Sequence, residues 1–328
     1  MISLRKIYNT RWVRVFRFYF PLTRIRPVNS FCYRLVQKID TILRWAFFYK
    51  FNFSGAKEIG IGPSGNIVLE INRSSELGQK GDRILVPYDQ VIFRNVVRLG
   101  AWEKTESNFL SGLAFENRNE KLVFIDIGGQ AGLISRQFLA KSSEYIFYAW
   151  IVEPIDKHVS AIKYNLEKWI KSNQVGIYPY AIDSTSSKNL IHTANDNSGN
   201  SSLLDYLPPN RPSSTSEILT KSAQNFESMF YSPAYKFLIK CDIQGMDAKV
   251  LSLFSKPFWS QTLGCVVEIW ALPSVNEEHV EMLMDLWQSF NHFSWDISLE
   301  IKTNLQEVKD FWLSGSGATR NLFITKSN

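Results

Sequence analysis

The chain has 328 residues, 45% of them hydrophobic and 21% charged, a balance that excludes wholesale disorder and allows one large domain with an accessory segment or two small domains. Its three cysteines, Cys32, Cys241 and Cys265, are too few and too scattered for a disulfide framework or a zinc knuckle, so a reducing, cytoplasmic setting is expected. The net charge of +6 is unevenly spread: residues 1–53 hold 11 of the 37 Lys and Arg and one acid, Asp40, giving +10, while the remainder sums to −4.

The same segment carries 14 of the 46 aromatic residues, among them Trp12, Phe16, Tyr19, Trp45 and Tyr49. It lacks both the run of roughly 18 uncharged apolar residues that a membrane span needs and the apolar stretch of a signal peptide. Phe31, Leu35, Ile39, Ile42, Ala46 and Tyr49 follow helical spacing, with Arg34, Lys38 and Arg44 off that stripe. The pattern predicts a helical segment over residues 1–53 that packs on the main domain or a partner subunit, or rests on an anionic membrane surface as a peripheral anchor. Nucleic acid is not the expected partner, and an Arg-rich, acid-poor terminus also has the look of a transit peptide.

Residues 54–98 form an accessory region. From Glu58 to Asn72, two short apolar runs flank Pro63-Ser-Gly-Asn66, which predicts a β-hairpin. Gly60, Gly62 and Gly65 also spell G-x-G-x-x-G, yet no helix follows and Pro63 stands inside the motif, so a dinucleotide loop is rejected here.

From Leu122 onward strand-like apolar runs alternate with helical patterns, which predicts an α/β domain over residues 99–328 with a mostly parallel sheet covered on both faces. The seven expected strands are Leu122 to Ile127, Ile146 to Val152, Val175 to Ala181, Lys236 to Asp242, Leu263 to Ile269, Phe293 to Ile301 and Asn321 to Thr325. Ile155, Val159, Ile162, Leu166 and Trp169 predict one helix between them, and Val280, Leu283, Met284 and Trp287 another. Residues 184–222, rich in Ser, Asn, Thr and Pro, are expected to be a long polar loop of the kind that forms lids and binding loops.

Chemistry concentrates at the strand ends. Val123 to Ser135 is a buried strand that runs into Gly128-Gly-Gln-Ala-Gly132 and then a helix, a turn suited to close approach of a ligand at a helix N-terminus. Asp126 beside it repels pyrophosphate and attracts a cationic amino group, which favours a sulfonium cofactor with an amino-acid tail over NAD. Glu153, ending the next strand, is placed to accept hydrogen bonds from the two ribose hydroxyls of an adenosine. Asp242 and Glu268 lie at or near the ends of two further strands, where open α/β sheets bind their ligands.

These blocks, in this order and spacing, resemble the FkbM family of S-adenosylmethionine-dependent methyltransferases over about residues 90 to 326. Asp126-Ile-Gly-Gly-Gln-Ala-Gly132 looks like the family's D-I-G-A-N-x-G turn, Val152-Glu-Pro154 like its V-E-P, Lys240-Cys-Asp-Ile-Gln-Gly-Met-Asp247 like its K-I-D-V-E-G-x-E, and Val266-Val-Glu268 like its following acidic strand. Gln244 stands where the family pattern has an acid. The resemblance implies a Rossmann-like class I methyltransferase fold, with S-adenosylmethionine as cofactor. Its methionine end would be held by Asp126, Gly128, Gly129 and Gly132, and its ribose by Glu153. Its adenine would lie against Ala181 to Asp183, with Asp183 an acceptor for the adenine amino group. It further implies O-methylation, often of a sugar hydroxyl in a glycan, glycolipid or natural product.

Asp242 is the leading candidate for the general base or acceptor-orienting group, with Glu268 second. Glu103 and Glu106, upstream on an expected helix, are read mainly as solvent-exposed charge, with closure over the cofactor as the alternative. A different small-molecule or protein acceptor and a catalytically silent cofactor-binding scaffold are the competing readings. Metal dependence stays open, since two carboxylates without a third ligand define no site.

Overall fold

The alternation that begins at Leu122 becomes, in the computed structural model, a doubly wound sheet wrapped by helices. The structure describes residues 55–87, 91–194, 197–203, 213–230, 232–296 and 302–326; the basic segment 1–53 and its expected helix lie outside them. Strands β1 (Ala56–Ile61), β2 (Ile67–Ile71) and β3 (Arg83–Val86) form an antiparallel sheet in that order. Of the glycine triad, Gly60 lies in β1, and Gly62 and Gly65 lie in the hairpin turn between the first two strands. Gly62 N–H donates to the Asn66 carbonyl at 2.7 Å, and a strand follows. Ile67, Leu69 and Ile71 alternate inward as a half-buried strand requires.

The remaining elements follow in chain order: α1 (Ile92–Leu99), α2 (Lys104–Glu116), β4 (Lys121–Ile127), α3 (Leu133–Ser142), β5 (Ile146–Val152), α4 (Asp156–Asn165), α5 (Glu167–Lys171), β6 (Val175–Tyr178) and β7 (Ala181–Asp183). Then come β8 (Ser187–Ala194), β9 (Asn197–Ser202), β10 (Ser213–Ser222), α6 (Ala223–Phe230), β11 (Tyr235–Cys241), α7 (Asp247–Ser252), α8 (Lys256–Gln261) and β12 (Thr262–Trp270). The chain closes with α9 (Glu277–Trp287), β13 (His292–Ser294), β14 (Lys302–Thr303), α10 (Leu305–Leu313) and β15 (Thr319–Thr325).

The main sheet runs β14-β13-β15-β12-β11-β4-β5-β6. The five strands from β12 to β6 are parallel neighbours, and β15 enters antiparallel beside β12. The chain winds outward from β4 through β5 to β6, then returns to the other side of β4 with β11 and β12. The winding direction therefore reverses between β4 and β11, and a ligand crevice opens at the carboxyl ends of strands at such a point. This is the Rossmann-like arrangement expected from the sequence, with Lys302–Thr303 adding an edge strand to the seven anticipated.

Three expectations are corrected. The strand expected over Val175–Ala181 breaks at Pro179, which has no N–H to give the ladder. Tyr180 N–H closes back on the Tyr178 carbonyl at 2.9 Å, and β7 leaves the main sheet to pair with β10. The supposed loop 184–222 is largely sheet, in the order β7-β10-β8-β9. Its inward positions Ile191, Ile218 and Thr220 are buried among serines and threonines, so it shows only a weak apolar alternation. The stripe from Ile155 to Trp169 is two helices rather than one, because Leu166 takes a non-helical conformation between them. Of the strand expected over Phe293–Ile301, residues 297–301 lie outside the described part.

Each face of the sheet has its own core. Val123, Ile125, Ile127, Ile239 and Val267 pack on one face, and Leu122, Phe124, Leu238 and Val266 on the other beneath α2 and α3. Side chains alternate between faces, so Asp126 and Lys240 are the last positions of β4 and β11 on the second face, and Glu268 lies on that face near the end of β12, where the apolar core gives way to polar groups at the rim. The accessory sheet is tied to this body by Asn165, whose amide accepts from Leu85 N–H at 2.7 Å and donates to the Leu85 and Ala131 carbonyls. Among the described residues no helix is long and apolar enough to cross a membrane.

Candidate functional site

The crevice holds a cavity of about 430 Å³ floored by the turn Gly128-Gly129-Gln130. Gly128 and Gly129 N–H both donate to the Val152 carbonyl at 3.0 Å, which fastens the end of β4 to the end of β5. Gly128 has φ +82°, and a Cβ there would stand 2.1 Å from the Asp242 carbonyl oxygen; one on Gly129 would stand 2.4 Å from Ile151 Cγ2. These glycines are required first by the close approach of neighbouring strand ends, with the space for a ligand a consequence. Gly132, φ +70°, precedes α3 and packs against Ile162 rather than lining the cavity.

Asp126 is 1% exposed and turns into the protein. Ser135 Oγ donates to its Oδ2, and Lys240 Nζ lies 3.5 Å from its Oδ1. Glu153, by contrast, lines the cavity. Its Oε2 accepts the Gln130 N–H at 2.9 Å, while its Oε1 accepts the Ile155 N–H at 2.9 Å and meets His158 Nδ1 at 3.3 Å. A carboxylate offers about four acceptor positions, so one remains for a ribose hydroxyl. The expected pair of ribose bonds therefore requires that a ligand displace His158. Ala181 and Ile182 line the same end of the cavity. Asp183 does not: Lys249 Nζ pairs with it at 2.5 Å, and the two line a separate cavity with His279.

At the other end lie Asp242 and Glu268. β11 and β12 are in register with Cys241 opposite Val267, so the next residue of each strand brings the two acids side by side. Gln244 Nε2 donates to Asp242 Oδ1 and to Glu268 Oε2, both at 2.7 Å. Burial pushes the Glu268 carboxyl well above the usual range, and the adjacent Asp242 charge pushes the same way. Glu103 sits just before α2 with φ +40°, half-buried and lining the cavity. Burial, then the Asp242 charge, raises its carboxyl to about 8. Glu106 is buried and accepts from Asn321 Nδ2. The solvent-exposed reading of these two glutamates is thereby overturned, because α2 lays its first turn across the polar rim of the sheet.

Sequence reasoning assigned no role to Lys240. Its Nζ donates to the Gly128 carbonyl at 2.9 Å and lies 3.7 Å from Asp242 Oδ2. Burial works against its charge, but Asp126, Asp242 and Glu103 together outweigh that and hold the ammonium above its ordinary value. The available signal was a lysine inside the apolar strand Phe237-Leu-Ile-Lys-Cys241, since a buried ammonium is kept only where acids face it. Gln130 stands inside the glycine turn. Its Oε1 accepts the Ala131 N–H at 3.1 Å, and its buried Nε2 meets no partner among the described residues. Among those residues no group of three or more His, Cys, Asp and Glu gathers as a metal site.

No protein-family model matches the chain, and no curated protein matches it. Among solved structures the chain is similar to methyltransferase FkbM from Methylobacillus flagellatus KT, at 12% identity over 66% of this chain and 47% of that one, with a TM-score of 0.39. It is also similar to precorrin-6y C5,15-methyltransferase from Geobacter metallireducens GS-15, at 11% identity over 68% of this chain and 87% of that one, with a TM-score of 0.33. The chain thus spans 47% of the length of the first of these.

Proposed function

We propose that the chain is an S-adenosylmethionine-dependent methyltransferase acting on an oxygen acceptor. The observation that carries this reading is the crevice at the reversal of winding, with Glu153 at one end and the Asp242–Glu268 pair at the other. When bound, S-adenosylmethionine supplies an electrophilic methyl group on a sulfonium. The residues present fit it. Glu153 retains one acceptor position for ribose, Ala181 and Ile182 offer an apolar wall for adenine, and the unpartnered Gln130 Nε2 is a donor for the carboxylate of the methionine end. Glu103 also lines the cavity, and its carboxyl oxygen is an acceptor for the cofactor's amino group that Asp126, turned inward, does not supply.

Methyl transfer draws mainly on alignment and exclusion of water, and an alcohol acceptor must also lose a proton. Asp242, its side chain 23% exposed beside the cavity, receives that proton. Glu268, kept neutral by burial, hydrogen-bonds to it, and the Lys240 ammonium lies 3.7 Å from Asp242 Oδ2. A sugar hydroxyl of a glycan or glycoconjugate is the acceptor class we favour, and it rests on the resemblance of the sequence blocks to the FkbM family.

Calorimetric titration with S-adenosylhomocysteine tests the cofactor assignment. The protein is expected to bind in the micromolar range, and Glu153→Gln to bind about 10- to 100-fold more weakly, the cost of one hydrogen bond to a charged group. A folded protein that binds neither this nucleoside nor its methylated form overturns the reading.

A further inference from the structure

Gln244 lies between the end of β11 and the start of α7, in a left-handed conformation with φ +55° that residues bearing a side chain seldom adopt. The backbone around it is pinned from two sides. Ser202 Oγ donates to the Gln244 carbonyl at 2.9 Å, and the buried Asp247 carboxylate accepts the N–H groups of Ile243 at 3.0 Å and Gly245 at 3.1 Å. The side chain is thus delivered at a fixed angle to Asp242 and Glu268. An amide nitrogen has two hydrogens, and this one gives one to each acid at 2.7 Å.

The electrostatics explain why an amide suits this place. Asp126 on β4, Asp242 at the end of β11, and Glu103 and Glu106 at the start of α2 interact with the ammonium of Lys240, and Asp242, Glu103 and Asp247 act on Glu268 of β12. Two adjacent carboxylates do not readily both ionise in such surroundings. A cation at position 244 would neutralise the base, and a third carboxylate would repel the pair. A neutral group with two donors fixes the direction of both acids and leaves their charge unchanged.

We propose that Gln244 is a positioning residue that holds Asp242 and Glu268 as a pair sharing one proton, with Asp242 presented to the cleft. Its use in methyl transfer rests on the function proposed above; the proton-sharing pair itself does not.

The test is a carboxyl carbon-13 NMR titration of the full chain and of Gln244→Gly and Gln244→Glu, with S-adenosylhomocysteine titrated into each sample. Glycine suits the left-handed backbone and removes the side chain with its two amide donors. Losing donors to an ionised carboxylate disfavours ionisation, so the titrations of the pair are expected to rise by about one unit or more in the Gly variant, and further in the Glu variant. Should the Gly variant fail to fold, Gln244→Asn replaces it, since Asn tolerates this conformation but is one methylene too short to reach both acids. Titrations that superimpose on those of the unsubstituted chain, or that fall, overturn the proposal. Absence of S-adenosylhomocysteine binding with the expected titrations defeats the cofactor reading and leaves the pair standing; binding with superimposed titrations does the reverse.

Discussion

At the scale of single residues, the rim of the sheet is built by one cation among acids. Lys240 is register partner to Asp126 across β4 and β11, which puts their side chains on one face. It bridges from there to the Gly128 carbonyl and Asp242. Lys240→Met removes the charge and leaves Asp126 inside the protein without its counter-ion. Removing one partner of a buried pair costs about 3–5 kcal/mol, so a loss of that size is expected in urea denaturation. Asp126→Asn in the same chain should return part of it. A single Lys240→Met variant within about 1 kcal/mol of the original chain would falsify the assignment of Lys240 as the counter-ion of Asp126.

At the scale of elements, two glycine-rich segments with similar spelling do different work. In the hairpin, a Cβ on Gly60 meets nothing within 4 Å and its backbone is ordinary, so Gly60→Ala should be close to neutral, within about 0.5 kcal/mol as for other surface changes. In the turn after β4, a Cβ on Gly128 collides with the Asp242 backbone at 2.1 Å from a left-handed conformation. Backbone gives way far less readily than a side chain. Gly128→Ala is therefore expected to lose more than about 3 kcal/mol or to fail to fold, as thermal melting of the two variants side by side will show. Equal effects would mean that the strand ends are not packed as described.

At the scale of the whole molecule, the buried acids impose a pH dependence on stability. Burial first, then the Asp242 charge, raises Glu268, raises Glu103 from 4.5 to about 8 and raises Asp247 from 3.8 to about 7. Between its unfolded and folded values each group binds more protons in the folded chain, so its contribution is fully present below the unfolded value and is lost as pH rises through about 7 for Asp247, about 8 for Glu103 and about 10 for Glu268. Urea midpoints are expected to fall from about pH 6 to about pH 8.5, with a shallower fall in Glu103→Gln; an unchanged slope in that variant contradicts the assignment. The +10 charge of residues 1–53 belongs to the same scale. For that segment we propose an anionic surface as partner. At about 1 kcal/mol per basic residue, replacing Arg11, Arg14 and Arg17 by Gln should weaken binding of the full chain to phosphatidylserine vesicles about 100-fold. Unaltered binding argues for a protein partner instead.

The sequence by itself determined the parallel sheet, the turn at Gly128 and the positions of Glu153, Asp242 and Glu268 at strand ends. Each of those is a local pattern: a continuous apolar run, a glycine turn, an acid at or near the end of a strand. Tertiary structure alone decided where the carboxylates point. Asp126 turns inward because β11 sets an ammonium beside it, Asp183 is held by Lys249, and Glu103 reaches the cavity because α2 begins there. The polar sheet β7-β10-β8-β9 was hidden for a related reason, since its pairing joins strands far apart in the chain through serine and threonine positions that carry little apolar period. Burial and charge pairing are sums over neighbours distant in sequence, and in this protein those neighbours meet only once five parallel strands have been laid side by side.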